Sequence, residues 1–131
     1  LNYCNRFYER QFITRKTVNN DLLSKMEHLL NAHFNDSGIH KNGLITVEYL
    51  ANKLNVSANY LSDMLRSLTG QNAQQHIHEK LIEVAKEKLI TTNLSVSEIA
   101  YGLGFEHPQS FSNLFKRKTK LSPLEFRKSF N

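Results

Sequence analysis

Cysteine is nearly absent from this 131-residue chain, and the single one, Cys4, excludes an internal disulfide and a cysteine zinc cluster. A chain so poor in thiols suits a reducing cytosol, and a cytoplasmic location is expected. Proline is equally scarce, with two residues, and glycine contributes five. So few breakers permit long helices and disfavour an all-β fold with many turns. No apolar run approaches the ~20 residues that a membrane span needs, so no membrane partner is expected. No secretory signal is visible, although the chain opens on Leu1 rather than Met, which leaves an upstream domain to be expected. No Gly-rich phosphate loop and no paired-carboxylate motif is present. The histidines lack ligand spacing: His76 and His78 point to different faces of a helix, and His28 and His33 are poorly placed to chelate. Neither a metal nor a cofactor is expected. Acidic residues are also in deficit, 12 against 17 Lys and Arg, which leaves a net charge of +5. That balance fits a polyanionic partner, but many soluble proteins share it.

What is present is helical periodicity from end to end, with no competing strand alternation. Residues 1 to about 16 are aromatic-rich, with Leu1, Cys4, Tyr8 and Phe12 near helical spacing and Tyr3 and Phe7 beside them. A second helix is predicted to start at Asn20 or Asp21, with Leu22, Met26, Leu29, Leu30 and His33 or Phe34 inward. Asn35 to Gly43 reads as a loop. Thr46 caps a short helix that Asn55 can end in the left-handed conformation. Ser57 caps the next helix, from Ala58 to Thr69, and Gly70 follows its end. A long helix is predicted from about 72 to 90, with Ala73, Ile77, Leu81, Val84 and Leu89 on one stripe. Ser95-Val96-Ser97-Glu98 is a capping box, Pro108 suits the first position of the following helix, and Ser122-Pro123-Leu124-Glu125 is a second box. The fold class is therefore all-α.

An internal repeat carries the functional information. Leu50-Ala51 superimposes on Ile99-Ala100, and Leu54-Asn55-Val56 on Leu103-Gly104-Phe105. In each copy a small Ala lets a second helix cross closely, Asn or Gly permits a sharp turn, and an apolar residue plugs the corner. These are the requirements of a helix-turn-helix. After a one-residue insertion, Leu61 to Arg66 falls on Phe111 to Lys116. The inward residues then correspond: Tyr60, Leu61, Met64, Leu65 and Leu68 in one copy, Phe111, Leu114 and Phe115 in the other. The outward ones do too, with Asn59, Ser62, Asp63 and Arg66 matching Gln109, Ser112, Asn113 and Lys116. Amides, hydroxyls and cations on one face suit base edges and phosphates. For one helix, a solvated outer face would explain such residues; a repeated turn with matched second helices is harder to explain by packing alone. Lys116, Arg117, Lys118 and Lys120, with Arg127 and Lys128 nearby, suit phosphate neutralisation, and His107 at the second turn suits a phosphate contact. Backbone N–H groups at the helix starts near Thr46, Ser95 and Ser122 offer further anion sites.

Ser57-Ala58-Asn59-Tyr60-Leu61-Ser62 through Thr69-Gly70, Ile99 to Phe105, Phe111 to Lys116 and Leu121-Ser122-Pro123-Leu124-Glu125-Phe126-Arg127 together closely resemble the DNA-binding domain of AraC/XylS-type transcription regulators. The resemblance covers roughly residues 21 to 131. It implies two helix-turn-helix subdomains joined by a long linker helix, preceded by an N-terminal helix from an upstream region. On that basis residues 1–19 are the last helix of an upstream sensor or dimerisation region, or pack on the domain itself. Residues 20–131 are the DNA-binding domain, with the first unit at about 44–70, the linker at 72–90, the second unit at 95–120 and a final helix at 123–129. By position, base-reading sites fall on Asn59, Ser62 and Asp63, then on Pro108, Gln109, Ser112 and Asn113. Pro108 has no donor and is expected only to shape the helix start. Arg66, His107, Lys116, Arg117 and Lys118 are the expected phosphate contacts. The implied partners are a double-stranded DNA operator, RNA polymerase in the full-length protein and a second copy through the upstream domain. Three departures from the family pattern stand out: Asp63 where many members carry Arg, Pro108 at a reading position, and Lys120 where Gly is usual. If the backbone at Lys120 is left-handed, lysine costs on the order of 1 kcal/mol there. No enzymatic activity is expected. DNA alkyl-repair enzymes with a related module need reactive cysteines that Cys4 alone cannot supply. A protein-interaction module would not need repeated reading faces and would show no salt-dependent DNA affinity.

Overall fold

The computed structural model describes the backbone of residues 2–35 and 43–130, and side chains from Asn19 onward within those ranges. The side chains of the aromatic face expected for residues 1–16, and the loop residues 36–42, lie outside the described residues. Seven α-helices are described: α1 (Asn2–Asn35), α2 (Val47–Lys53), α3 (Ala58–Thr69), α4 (Ala73–Thr91), α5 (Val96–Gly102), α6 (Pro108–Thr119) and α7 (Pro123–Lys128).

Local chemistry sets most of the boundaries. Thr46, Ser57, Asn72, Ser95 and Ser122 all have extended backbones, and each side-chain oxygen accepts from the N–H three residues on. Each cap satisfies one of the donors that a helix start leaves without a partner. Asn72 with Gln75, Ser95 with Glu98 and Ser122 with Glu125 close reciprocal capping boxes. The break predicted near residue 20 is absent, and α1 runs unbroken from Asn2 to Asn35. Asn19, Asn20 and Asp21 can cap a helix, but no Gly or Pro there forces the chain out of one.

The linker α4 is the spine. α1, α2 and α3 pack against it from one side of the chain, and α5 and α7 from the other. This double duty explains why its buried set, Ala73, Ile77, Leu81, Ile82, Ala85 and Leu89, is wider than a single stripe. Val84, expected inward, is only half-buried, while Ile82 and Ala85 take enclosed positions. On α1 the inward residues are Met26, Leu30 and Phe34, with Leu22 and Leu29 packed at the margin. Phe34 rather than His33 fills the enclosed position, and the His33 ring stands edge-on to it at 5.3 Å.

The two units are filled differently. The first uses Leu50, Leu61, Met64 and Leu65. The second carries a chain of rings, Phe105–Phe111–Phe115–Phe126–Phe130, with successive centroids 5.5, 5.8, 5.5 and 5.0 Å apart. Tilted and edge-on pairs of this kind add about 0.5–1.5 kcal/mol each beyond burial. Tyr60, expected inward, is instead 47% exposed, and its hydroxyl donates to Asn19 Oδ1 at 3.2 Å. A phenol can cover apolar surface while its oxygen stays at the edge, and here it ties α3 to α1.

Candidate nucleic-acid interface

The two turns are copies at the level of individual bonds. Val56 N–H donates to the Ala51 carbonyl at 3.0 Å, and Phe105 N–H to that of Ala100 at 3.1 Å. Leu54 N–H reaches Leu50, and Leu103 N–H reaches Ile99, both at 3.0 Å. Asn55 and Gly104 between them have φ of +59° and +104°. Ala51 and Ala100 are buried, as a close helix crossing requires.

The second helix of each unit ends on the same clamp. Thr69 Oγ1 donates to the Leu65 carbonyl at 2.8 Å and accepts from Gln71 N–H at 3.2 Å. Thr119 Oγ1 donates to the Phe115 carbonyl at 2.8 Å and accepts from Leu121 N–H at 3.2 Å. The next residue is left-handed in both copies, Gly70 in the first and Lys120 in the second.

Exposure repeats as well. From Ala58 to Ser67, and from Pro108 to Arg117, buried, half-buried and exposed positions follow the same order residue for residue. Asn59, Asp63 and Arg66 are exposed, as are their counterparts Gln109, Asn113 and Lys116; Ser62 and Ser112 are both half-buried. Each outer face is a ridge of hydrogen-bonding groups set by a buried ridge behind it. On α6, Gln109 Nε2 donates to Asn113 Oδ1 at 3.0 Å, which aligns the two amides across one turn. On α3, Arg66 Nη1 lies 3.4 Å from Asp63 Oδ1, with both side chains well exposed. An exposed pair of this kind is held weakly.

The cations divide by surroundings. Lys116, Arg117 and Lys118 are all exposed on the last turn of α6. Lys118 also borders a groove with Gln75, Glu79, Ile82 and Lys86 of α4. Half-burial, then the charges of Lys118 and Arg117, hold the His78 imidazole below the ordinary histidine range. His107 occupies the N-cap of α6, where Ser57 stands in the first unit, yet its side chain makes no capping bond and is exposed.

Arg127 corrects an expectation. Its Nε donates to the Leu89 carbonyl at 2.9 Å and its Nη2 contacts the Thr92 carbonyl at 3.4 Å. The guanidinium thus satisfies the open C-terminal end of α4 rather than extending the basic face. No local pattern announces this contact, which spans 38 residues. The helix starts at Ser95 and Ser122 already hold the carboxylates of Glu98 and Glu125, which compete with any phosphate there. Hydrogen bonds from Ser95 and Ser122 keep both carboxyls below the ordinary glutamate range. Among the described residues no cluster of three or more His, Cys, Asp or Glu could hold a metal ion, and no helix is long and apolar enough to cross a membrane.

Two bond-for-bond copies of one turn, each presenting a polar second helix, define a double helix-turn-helix DNA-binding protein. A family model described as a helix-turn-helix domain matches residues 50–129. The chain is 30% identical to the regulatory protein SoxS of Salmonella typhimurium, over 63% of this chain and 78% of that protein. It is also 30% identical to an HTH-type transcriptional regulator of Pseudoalteromonas carrageenovora, over 87% of this chain and 63% of that one. It spans about 30% of the length of other curated relatives. The DNA-binding domain of AdpA, solved in complex with a target DNA, is similar with a TM-score of 0.65 at 26% identity, covering 86% of this chain and 91% of that one. The chain belongs to the AraC/XylS family of transcription regulators, and the resemblance places it in that family's DNA-binding domain.

Proposed function

We propose that the two units bind one face of duplex DNA together and read successive segments of the major groove. The observation that carries this is the residue-for-residue duplication of an exposed polar helix face. The linker supports it: the 19 residues of α4 span roughly 28 Å at ~1.5 Å each, close to the ~34 Å repeat of the groove. Asn59, Ser62 and Asp63 of α3 and Gln109, Ser112 and Asn113 of α6 read base edges, with amides suited to adenine and the Asp63 carboxylate to cytosine N4. Arg66, His107, Lys116, Arg117 and Lys118 neutralise phosphates. The N-terminal part of α1 leads from the end of an upstream sensor or dimerisation region, continuous with the DNA-binding domain through the same helix, and two copies of the full-length protein pair through that region. RNA polymerase is the further partner of such a regulator, and its compartment is the cytoplasm.

The test contrasts two substitutions on one helix. Gln109→Ala lowers affinity for the selected operator by ~1–3 kcal/mol while leaving random duplex nearly unaffected; Lys116→Ala weakens both alike. Titrations against an operator selected from genomic fragments, with a random duplex alongside, distinguish the two. Equal losses on both duplexes for Gln109→Ala would remove it from the base-reading set.

A further inference from the structure

We propose that Tyr60 is a positioning residue for DNA reading: with Asn19 of α1 it fixes the first turn of α3, so that α1 governs the first half-site and not the second. The inference rests on the two-unit DNA function above and adds what holds one of its reading helices in place. Tyr60 stands beside Asn59 at the start of α3. Its N–H donates to Ser57 Oγ at 3.0 Å, and its hydroxyl donates to Asn19 Oδ1 at 3.2 Å. The first turn is therefore held twice through one residue, by its own cap and by a helix 41 residues away in sequence.

Burial does not account for a tyrosine at this position. Leu61, Met64 and Leu65 take the enclosed positions of α3, whereas the Tyr60 ring is largely exposed. A cleft of about 500 Å³ lies between α1 and the start of α3, bordered by Asp21, Leu22, Lys25, Val56, Ser57 and Tyr60. Close packing thus stops short of the first turn, and the phenol bridges what remains. An exposed neutral hydrogen bond adds little to global stability, but it is directional, so it fixes the pitch of the turn that carries Asn59.

The second unit is braced differently. The counterpart of Tyr60 is Ser110, also exposed, whose N–H returns to the His107 carbonyl at 3.0 Å. α6 packs on α5 and α7, and it meets α7 through the ring pair Phe115 and Phe126. α3 packs on α2, α4 and α1. The outer support of each reading helix therefore comes from a different element, with apolar rings for α6 and an exposed hydroxyl beside a cleft for α3. The ring pair yields only with the core around it, whereas the hydroxyl parts from its acceptor without disturbing any enclosed residue. Rotation or withdrawal of α1 thus re-aims Asn59, Ser62 and Asp63 and leaves Gln109, Ser112 and Asn113 where they are.

The experiment uses the 131-residue chain, the variants Tyr60→Phe and Asn19→Ala, the two combined, and Asn19→Asp. Each is titrated, well below its melting temperature, against an operator selected from genomic fragments and against the same operator with either half-site randomised. Tyr60→Phe and Asn19→Ala should each weaken binding about threefold, the scale of one exposed neutral hydrogen bond, wherever the first half-site is intact. Both should match the parent where that half-site is randomised. The combined variant should be no weaker than either single one. Asn19→Asp keeps the acceptor and should retain the parent's ratio of affinities between the duplexes. A bond that served stability alone would lower Tm and leave every affinity unchanged, and that result would overturn the proposal. Equal losses with either half-site randomised would do the same. Loss for Tyr60→Phe without loss for Asn19→Ala would mean that the hydroxyl meets DNA directly, which also overturns it. Parent protein that does not prefer the selected operator to its randomised forms would sink the two-unit DNA function as well, whereas normal parent preference beside indifferent variants sinks this inference alone.

Discussion

Glu98 and Glu125 show how much one carboxylate does at the third position of a short helix. Each accepts the N–H of its own cap residue, Ser95 or Ser122, at 3.0 Å while the cap hydroxyl accepts from the glutamate N–H in return. These bonds hold both carboxyls below the ordinary glutamate range, with Lys116 adding a smaller push at Glu125. A depressed folded-state carboxyl contributes stability that is fully present above the unfolded value of 4.5 and is lost as pH falls through the lower folded value. The second unit should therefore loosen on acidification, because α5 and α7 each have one box. Glu98→Gln keeps an acceptor but removes the titration. Its Tm should change less between neutral pH and about pH 3 than that of the parent; melting curves with the same acid slope for both would show that the box is not the group being titrated.

At the scale of elements, α4 and α7 are joined by a contact that a basic-run interpretation overlooks. Arg127 lies on α7, half-buried, with its guanidinium on the Leu89 and Thr92 carbonyls at the end of α4. Arg127→Ala leaves those carbonyls without that donor and should destabilise the chain by about 1–3 kcal/mol. Because its charge is already committed inside the protein, the salt dependence of DNA binding should stay unchanged. A slope shallower by about 1 would return Arg127 to the phosphate contacts. This case marks the boundary of what was legible from the sequence. Caps, capping boxes and left-handed helix ends are local, so Thr46, Ser57, Ser95, Ser122, Asn55 and Gly70 could be placed from their immediate neighbours. Leu61, Leu65, Phe111 and Phe115 followed from helical period. Arg127 on Leu89 and Tyr60 on Asn19 pair residues 38 and 41 apart, and no spacing rule encodes them. The continuity of α1 escapes a local reading for the opposite reason: residues able to start a helix also tolerate its interior when nothing terminates the preceding turn.

For the molecule as a whole, the governing quantity is how rigidly one helix-turn-helix is held relative to the other. α4 supplies one connection, and a second lies where the segment leading into the first unit crosses the second turn. A Cβ added to Gly104 would stand 2.5 Å from the Gly43 carbonyl carbon and 2.8 Å from the Leu44 nitrogen. Backbone meets backbone there, so no side-chain rotation can make room. This gives Gly104 a duty that Asn55, its partner in the repeat, does not share: both have positive φ, but Gly104 must also admit a neighbouring strand of chain. The repeat alone made Asn and Gly equivalent at this turn; the packing between units separates them. Gly104→Ala should therefore cost more than the ~1–2 kcal/mol of a left-handed alanine, since the Gly43–Leu44 segment must also be displaced. Gly102→Ala, two residues earlier on α5 with nothing within 4 Å of the added methyl, should be neutral or gain about 0.5–1 kcal/mol. Urea melts of the two variants measure the difference. If the Gly43 contact holds the units in register, Gly104→Ala under conditions where it remains folded should lose affinity for an operator that engages both units. It should keep affinity for a duplex carrying only the second half-site. Similar stability for the two alanine variants, or equal losses on both duplexes, would mean that α4 alone sets the spacing.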